Sequence, residues 1–223
     1  MKITVVIPAF NEEKRLGSVL TDLKKHKIKE IIVVDDGSDD NTILVAQKEK
    51  VTIIPHPVNL GQGAAIQTGL EYAKRIGSEI TVTFDADGQF VASEVPRMIK
   101  PILQKKVDIV LGSRFLGKAV NIPLTRKFIL KLGIIFTWLF SGIKLTDTHN
   151  GFRAFSRKAL SLINIKQNGM AHASEIIHQI KRYRLKYCEI PVTVKYSRGH
   201  GPKSENIINI LADLITRELL FPK

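Results

Sequence analysis

Apolar and polar positions divide this chain into short, continuously apolar runs separated by amphipathic stretches. Residues 3–7, 31–34, 51–54, 80–84 and 107–111 are five such runs, rich in Ile and Val. Their length and the Pro, Gly and Asp residues that end them predict strands buried on both faces. Between the runs, apolar residues recur at helical spacing. Leu16, Val19, Leu20 and Leu23 form one stripe, and Met98, Ile99, Ile102 and Leu103 another. An alanine-rich helix follows Gly61 and Gly63 and ends near Gly77. Asn11, with Glu12 and Glu13 behind it, and Ser93 are placed to cap helices, and 35–42 is a turn-and-cap cluster opening a further one. Pro101 predicts a kink. Strands alternating with helices in this way predict an α/β fold, an open, mostly parallel sheet with helices on both faces.

From Lys118 onward the rhythm changes. Residues 125–144 predict a helix that is basic and then strongly apolar, followed by a polar turn at 146–153. A helix over 174–183 and a strand over 187–196 come next, with Pro191 at a bulge or a sheet edge. A basic, glycine-containing loop over 197–204 leads to a closing helix at 206–220. No repeat, low-complexity tract or linker interrupts the chain, so 1–223 reads as a single domain with a less regular C-terminal region. The longest apolar run after the sheet, 134–140, is too short to span a bilayer, and no cleavable leader is expected before the first strand.

The polar clusters are not randomly placed. Residues 8–13, 35–40, 85–89 and Arg114 all fall where predicted strands end. In open α/β sheets, binding loops gather at the carboxyl ends of the strands. Asp85-Ala86-Asp87 puts two carboxylates on one side of an extended chain, where they repel each other and call for a cation. Mg²⁺ or Mn²⁺, hard ions that share phosphate oxygens with a substrate, suit such a pair, and Gln89 can add a neutral amide oxygen. The alternative reading is an Asx turn at a strand end. Gly61-Gln62-Gly63 resembles half of a dinucleotide fingerprint, but Ile66 occupies the third glycine position, which argues against an NAD site. No phosphate-binding Walker lysine, nucleophile elbow or His-Glu-x-x-His pair is present. His172 and His178 lie six apart on a predicted helix, poor spacing for ligands, so surface or capping roles are expected.

Composition narrows the classes further. Apolar residues make up 44% of the 223 residues and charged ones 25%, enough for a packed core. The lone Cys188 excludes an intramolecular disulfide and fits a reducing compartment. Net charge is +13, spread along the chain without a nucleic-acid module, so a nucleotide or an anionic membrane is the expected polyanion rather than DNA or RNA.

Pro8-Ala9-Phe10-Asn11-Glu12, Val34-Asp35-Asp36-Gly37-Ser38, Asn59-x-Gly61-x-Gly63, Asp85-Ala86-Asp87-Gly88-Gln89 and Gly112-Ser113-Arg114 occur in this order. Together they resemble the inverting family 2 glycosyltransferases of the GT-A fold, and within them the dolichol- or polyprenyl-phosphate sugar synthases. The resemblance implies that 1–115 forms a nucleotide-sugar-binding half and 116–223 an acceptor-side half. It implies that Pro8, Phe10 and Glu12 line the nucleotide and that Asp36 meets the base. Asp85, Ala86 and Asp87 would lie along the diphosphate, with Asp85, Asp87 and Gln89 as metal ligands. Arg114 and Arg126 would reach the acceptor phosphate, Arg114 the nucleotide sugar as well, with Asp87 and Arg114 catalytic, and Arg198 and Lys203 would lie in a loop closing on the diphosphate. Gln62 and Phe90 stand where many relatives carry lysine and histidine, which leaves the donor open. The expected enzyme is a metal-dependent hexosyltransferase using a nucleoside-diphosphate sugar and a lipid phosphate, or alternatively a glycan hydroxyl.

If the acceptor is a hydroxyl, a carboxylate must take its proton, and Asp147 in the polar turn is the candidate, with a turn-capping role as the alternative. A sugar nucleotidyltransferase and a non-catalytic nucleotide-binding module are the other readings. The first lacks a basic glycine-rich loop after strand one, and the intact acidic trio argues against the second. Arg126, Lys127 and Lys131 beside Phe136, Trp138 and Phe140, and the apolar residues of 207–220, suit peripheral attachment at the cytoplasmic face of a membrane, or contact with a membrane partner protein. Packing on the sheet or on another subunit is the alternative.

Overall fold

The computed structural model describes residues 1–196, the side chains of Phe136 and Phe140 apart, so Arg198, Lys203 and the expected closing helix lie outside the described residues. All five expected strands form. They are β1 (Ile3–Ala9), β2 (Glu30–Asp35), β3 (Thr52–Pro55), β4 (Ile80–Thr83) and β5 (Ile109–Val120). Helices α1 (Leu16–Lys25), α2 (Thr42–Lys48), α3 (Gln62–Arg75) and α4 (Val95–Leu103) connect them. Beyond β5 follow α5 (Leu124–Ser141), β6 (Arg153–Ser156), α6 (Arg157–Leu162), α7 (His172–Arg182) and β7 (Tyr187–Lys195).

The strands make one seven-stranded sheet in the order β3-β2-β1-β4-β6-β5-β7. Pairing is parallel except around β6, which runs antiparallel to both β4 and β5. The continuous apolar character of the strands follows from cover on both faces. In β1, Val5 and Ile7 pack into a core with Leu16, Leu20 and Met98 from α1 and α4. Val6, between them, packs on the opposite face with Ile66, Leu70 and Ile176 from α3 and α7.

Strand register decides where the functional loops meet. Ala9 pairs with Asp35 and Val6 with Thr83, so the residues that follow β1, β2 and β4 emerge at one edge of the sheet. β6 was not expected, since the sequence presents only a polar turn running into Ala154 and Phe155. Its reversed direction matters, because Arg153 pairs with both Thr83 and Leu111, so the loop that precedes β6 arrives at the same edge. Pro191 lies on the edge strand β7, as expected, beside an irregularity in register. Ser113 pairs with Pro191, but the next pair is Lys118 with Thr193. The extra residues belong to β5, and Gly117 passes so close that an added Cβ would lie 2.2 Å from the Val192 carbonyl oxygen. This bulge displaces Arg114 from the regular strand.

Two expected caps do not form. Asn11 has φ of 56° and ends the β1 loop rather than capping α1, which begins at Leu16. Its Oδ1 accepts from the Asp39 backbone N–H at 2.9 Å and its own N–H donates to Ser38 Oγ, which joins the loops after β1 and β2. Ser93 falls in a single 3-10 turn, Ala92–Glu94, and makes no cap to α4.

Among its described side chains, α5 buries small and hydroxyl residues and leaves a row of large apolar ones exposed. Gly133, Thr137 and Ser141 are buried, whereas Leu124, Phe128, Leu132, Ile135 and Leu139 share an exposed stripe, Leu124 at 83% and Leu139 at 69%. Among the described residues, no helix is long and apolar enough to cross a membrane.

Several helices end in the same left-handed turn. After α4, Lys105 N–H donates to Ile102 O and Lys106 N–H to Pro101 O, with Lys105 at φ of 55°. α1 and α7 end likewise on Lys27 and Arg184, while α3 uses Gly77. A side chain in this conformation strains the backbone by about 1 kcal/mol, and the cation returns a few tenths by facing the helix C-terminus. Lys105→Gly therefore stabilises the fold by about 0.5 kcal/mol, seen as a rise in Tm of about 1–2 °C. An unchanged or lower Tm would show that the turn is not strained.

Candidate active site

A cavity of about 940 Å³ opens at the carboxyl edge of the sheet. Pro8, Phe10, Glu12, Asp36, Asp85, Ala86, Asp87, Gln89, Arg114 and Arg126, separated by up to 118 positions in sequence, all contribute to its wall. The topology therefore brings together all but one of the sequence-predicted site residues that lie in the described part of the chain. Asp147 is the exception.

On the side formed by the loops after β1 and β2, Glu12 pairs with Arg15 at 2.7 Å. Burial raises its pKa, opposed by Arg15 and assisted by Asp87 and Asp40. Asp36 is buried and holds a neighbouring loop. It accepts from the backbone N–H groups of Leu60 (3.0 Å) and Gly61 (2.7 Å), and its Oδ1 lies 2.8 Å from His56 Nδ1. The other ring nitrogen of His56 reaches Thr68 Oγ1 on α3 at 2.9 Å. Gly61 and Gly63 are required by packing rather than by a dinucleotide. A Cβ on Gly63 would sit 1.9 Å from the carbonyl oxygen of Gln167, and the Gly63 N–H donates to Asn168 O.

At the end of β4, burial first and Asp87 second push Asp85 up to about 7, while Arg153 and Arg114 draw it down. Asp87 is raised as well, chiefly by burial, although its Oδ1 accepts from the Gln89 N–H at 2.9 Å. Gln62 Nε2 donates to Asp85 Oδ1 at 3.2 Å. Gly151 closes over this carboxylate, since a Cβ there would lie 2.7 Å from both oxygens. Two neighbouring carboxylates that are both raised form a site short of positive charge. Their oxygen donors, with the Gln89 amide alongside, fit a hard divalent cation. Among the described residues no group of three or more His, Cys, Asp and Glu side chains converges, so such a cation would need further oxygen ligands from a bound substrate.

The opposite wall is cationic. Arg114 is only 5% exposed and fully engaged. Its backbone N–H and Nε donate to Asp147 Oδ2 at 3.0 and 2.6 Å, and a terminal nitrogen donates to the His149 carbonyl at 3.0 Å. Another donates to the Tyr196 hydroxyl. Burial works against the Arg114 charge, but Asp147 and Tyr196 more than offset it. Arg126 of α5 stacks over the Tyr196 ring at 4.9 Å. Asp147 itself is 3% exposed, behind Arg114 and outside the cavity wall. The structure thus corrects its expected place as a proton acceptor: the carboxylate anchors an arginine and does not face the cavity. Glu189 of β7 fixes that turn by accepting from the Thr146 and Asp147 N–H groups at 2.9 and 3.1 Å.

Sequence reasoning missed Arg15, His149, Arg153 and His172, which also contribute to the wall. Arg153 sits at the start of β6, and burial lowers its pKa to about 10 against the pull of Asp85. His149 is held down to about 4 by burial and by Arg153 and Arg114, with Asp147 opposing. His172 is 3% exposed and is held down to about 3 by burial, then by Arg153. It is neither a surface residue nor a cap, as α7 turns its first residue inward. The only available signal was the run of polar residues leading to Arg153.

The family model described as Glycosyl transferase family 2 matches residues 4–163. MJ1222, an uncharacterized protein of Methanocaldococcus jannaschii, is 39% identical over 98% of this chain and 93% of its own length. The UDP-N-acetylglucosamine–dolichyl-phosphate N-acetylglucosaminyltransferase of Methanococcus voltae is 34% identical over 92% of this chain and 90% of its own. Mycobacterium tuberculosis glucosyl-3-phosphoglycerate synthase, solved with Mn²⁺ and UDP-glucose, has the same fold. Its TM-score is 0.75 at 18% identity, over 100% of this chain and 80% of that one.

The depressed histidines give a pH signature. His149 binds a proton at about 4 when folded but near 6.5 when unfolded, so the unfolded chain gains protons first as pH falls. Relative to a His149→Gln variant, wild-type stability is therefore fully present above 6.5 and is lost between 6.5 and about 4. Urea denaturation of both proteins across that window measures the difference, in which groups that do not interact with His149 cancel and His172, which His149 also holds down, adds in the same direction. A difference independent of pH would mean that His149 is not buried against positive charge.

Proposed function

This chain belongs to glycosyl transferase family 2, and from that premise we propose that it moves a sugar from a nucleoside diphosphate to the phosphate of a polyprenyl-phosphate lipid, with a divalent metal and inversion at the sugar. One observation carries the choice of acceptor. Around Arg114, Arg126, His149, Arg153 and His172 the nearby carboxylates are committed: Asp147 holds Arg114 from outside the cavity wall, and Asp85 and Asp87 would be taken up by the metal. The two histidines are poor bases with their pKa values held to about 4 and 3. A hydroxyl acceptor needs a base, whereas a phosphate monoester, with a second pKa of about 6, is already ionised at neutral pH. Arginines match that nucleophile in charge and geometry. The Methanococcus voltae relative, by its name, uses dolichyl phosphate.

On this reading Phe10 and the Asp36 loop hold the nucleoside. Asp36 already accepts from Leu60, Gly61 and His56. A carboxylate has about four acceptor sites, so it keeps capacity for one N–H of a base. Asp85, Asp87 and Gln89 would hold Mg²⁺ or Mn²⁺, which supplies positive charge against the departing diphosphate. The Mycobacterium structure of the same fold contains Mn²⁺ with its nucleotide sugar, which supports the use of a divalent metal. Arg126 orients the acceptor phosphate, and Arg114, fixed by Asp147, adds a preorganised charge. An acceptor oxygen then displaces the diphosphate from the sugar carbon on the opposite face, so the bond to the lipid forms as the bond to the diphosphate breaks.

α5 supports a place at the membrane's cytoplasmic face. Its exposed stripe of Leu124, Phe128, Leu132, Ile135 and Leu139 suits the headgroup boundary, with Lys127 and Lys131 beside it to meet anionic lipid. Arg126, on the same helix, reaches the cavity.

Turnover tests the chemistry. With Mn²⁺, a panel of UDP- and GDP-sugars and a short polyprenyl phosphate, nucleoside diphosphate is released only when lipid phosphate is present. Asp87→Ala lowers the rate at least about a hundredfold. Release that depends instead on the corresponding polyprenol or on a glycan would replace the phosphate acceptor by a hydroxyl, and a folded protein inert with every pair would sink the proposal.

Co-sedimentation tests the surface. The protein pellets with anionic liposomes at low salt and is released as salt rises, because exposed charges are screened within about 10 Å at 0.1 M. A protein that stays wholly in the supernatant at low salt overturns peripheral attachment.

A further inference from the structure

His172 begins α7, and its Nδ1 lies 2.9 Å from the carbonyl oxygen of Gly169. A carbonyl has no proton to give, so Nδ1 carries the hydrogen of the neutral ring and Nε2 is left as a bare lone pair. No described residue donates to that nitrogen, although His172 is 3% exposed and part of the cavity wall. That nitrogen is not sealed from the cavity, so a bound group that displaces water there loses affinity unless it supplies a donor of its own.

Resting on the donor reading above, we propose that Nε2 of His172 accepts a hydrogen bond from a hydroxyl or amide hydrogen of the sugar being transferred, which makes His172 a specificity-determining residue.

The partner must bring its own hydrogen, because the ring stays neutral. Burial and the nearby charge of Arg153 resist protonation, and His149 opposes it as well. This excludes the ionised diphosphate and the ionised acceptor phosphate, neither of which has a proton to offer. Position points to the sugar. His172 packs on the start of α3, where a Cβ at Gly63 would lie 3.0 Å from its own Cβ. The adjoining Gln62 bonds Asp85, beside which the diphosphate would sit. The group next in line from that diphosphate is the sugar ring.

Calorimetry in Mn²⁺ with UDP, UDP-glucose, UDP-N-acetylglucosamine, GDP and GDP-mannose tests this, using wild type and His172→Phe. The variant keeps a ring but has no acceptor. The expected result is an unchanged affinity for the free nucleotide and a loss of about fivefold or more for the preferred nucleotide sugar. His172→Gln, which offers a carbonyl oxygen, recovers part of that loss. Analogues of the preferred donor with one hydroxyl, or the N-acetylamino group, replaced by hydrogen need no variant: one position should cost wild type about the same factor and cost His172→Phe nothing. Equal weakening of nucleotide and nucleotide sugar, or no sensitive position in wild type, overturns the inference while leaving the donor reading intact. Failure of every nucleotide and nucleotide sugar to bind wild type removes the donor reading, and this inference with it.

Discussion

The buried pair of Arg114 and Asp147 is the contact on which one whole side of the cavity depends. Asp147 takes both the backbone N–H and the Nε of Arg114 on a single oxygen, and Arg114 in turn ties down the His149 carbonyl and Tyr196. A buried ion pair of this kind contributes little net stability, because desolvation offsets attraction, but removing either partner strands a charge. Its value is positional. The β5 bulge throws Arg114 out of the strand, and Asp147 fixes where it lands. Glu189 holds the turn bearing Asp147 from a third element, so β5, β7 and the loop before β6 are locked together by charge in addition to their strand pairing and shared apolar core. Tyr196 extends the lock to α5, since its hydroxyl meets Arg114 and its ring lies under Arg126.

The opposing wall has the reverse imbalance. Asp85 and Asp87 are both raised, and burial is the leading cause for each. Arg153 and Arg114 temper Asp85 but leave it near 7, so the protein's own cations do not satisfy the pair. One side of the cavity has anions in excess and the other has cations anchored by partners hidden from solvent. An ionic substrate with a cation at one end and a second anion at the other completes both sides. That complementarity is a property of the folded edge and not of any one motif.

Much of this was legible in the sequence because it depends on local rules. Continuous apolar runs marked the first five strands, and polar residues at their ends marked the cavity. The failures share one cause, which is packing between distant segments. β6 is four residues long and begins with an arginine, so no periodicity announces it, yet it sits between β4 and β5 and delivers the loop from 146 to 152 to the site. Asp147 looked like a free carboxylate because its partner is 33 positions away. His172 looked exposed because helical spacing gives a face but does not say which face is buried. Asn11 was read as a cap because its side chain suits one. The same side chain instead joins two loops, at a φ that asparagine tolerates better than most residues.

α5 shows how a failure of the usual inside-outside rule becomes informative. Its small and hydroxyl residues Gly133, Thr137 and Ser141 face the protein, where Gly133 lets the backbone approach the His149 ring. Thr137 is buried with no partner for its hydroxyl among the described residues, while Leu124 and Leu139 stand in the open. Rotating the helix by half a turn would bury the leucines, but it would also swing Arg126 off Tyr196 and away from the cavity. The observed orientation thus gives up apolar burial on the helix to keep one arginine at the site. Such an arrangement is sustainable if the apolar stripe is covered by something other than this sheet. On the proposed reading that cover is lipid, and a helix about 10 Å across is then all that separates the bilayer from the cavity. The phosphate of a polyprenyl lipid has only to pass that one helix to reach Arg126, and its tail never has to leave the membrane.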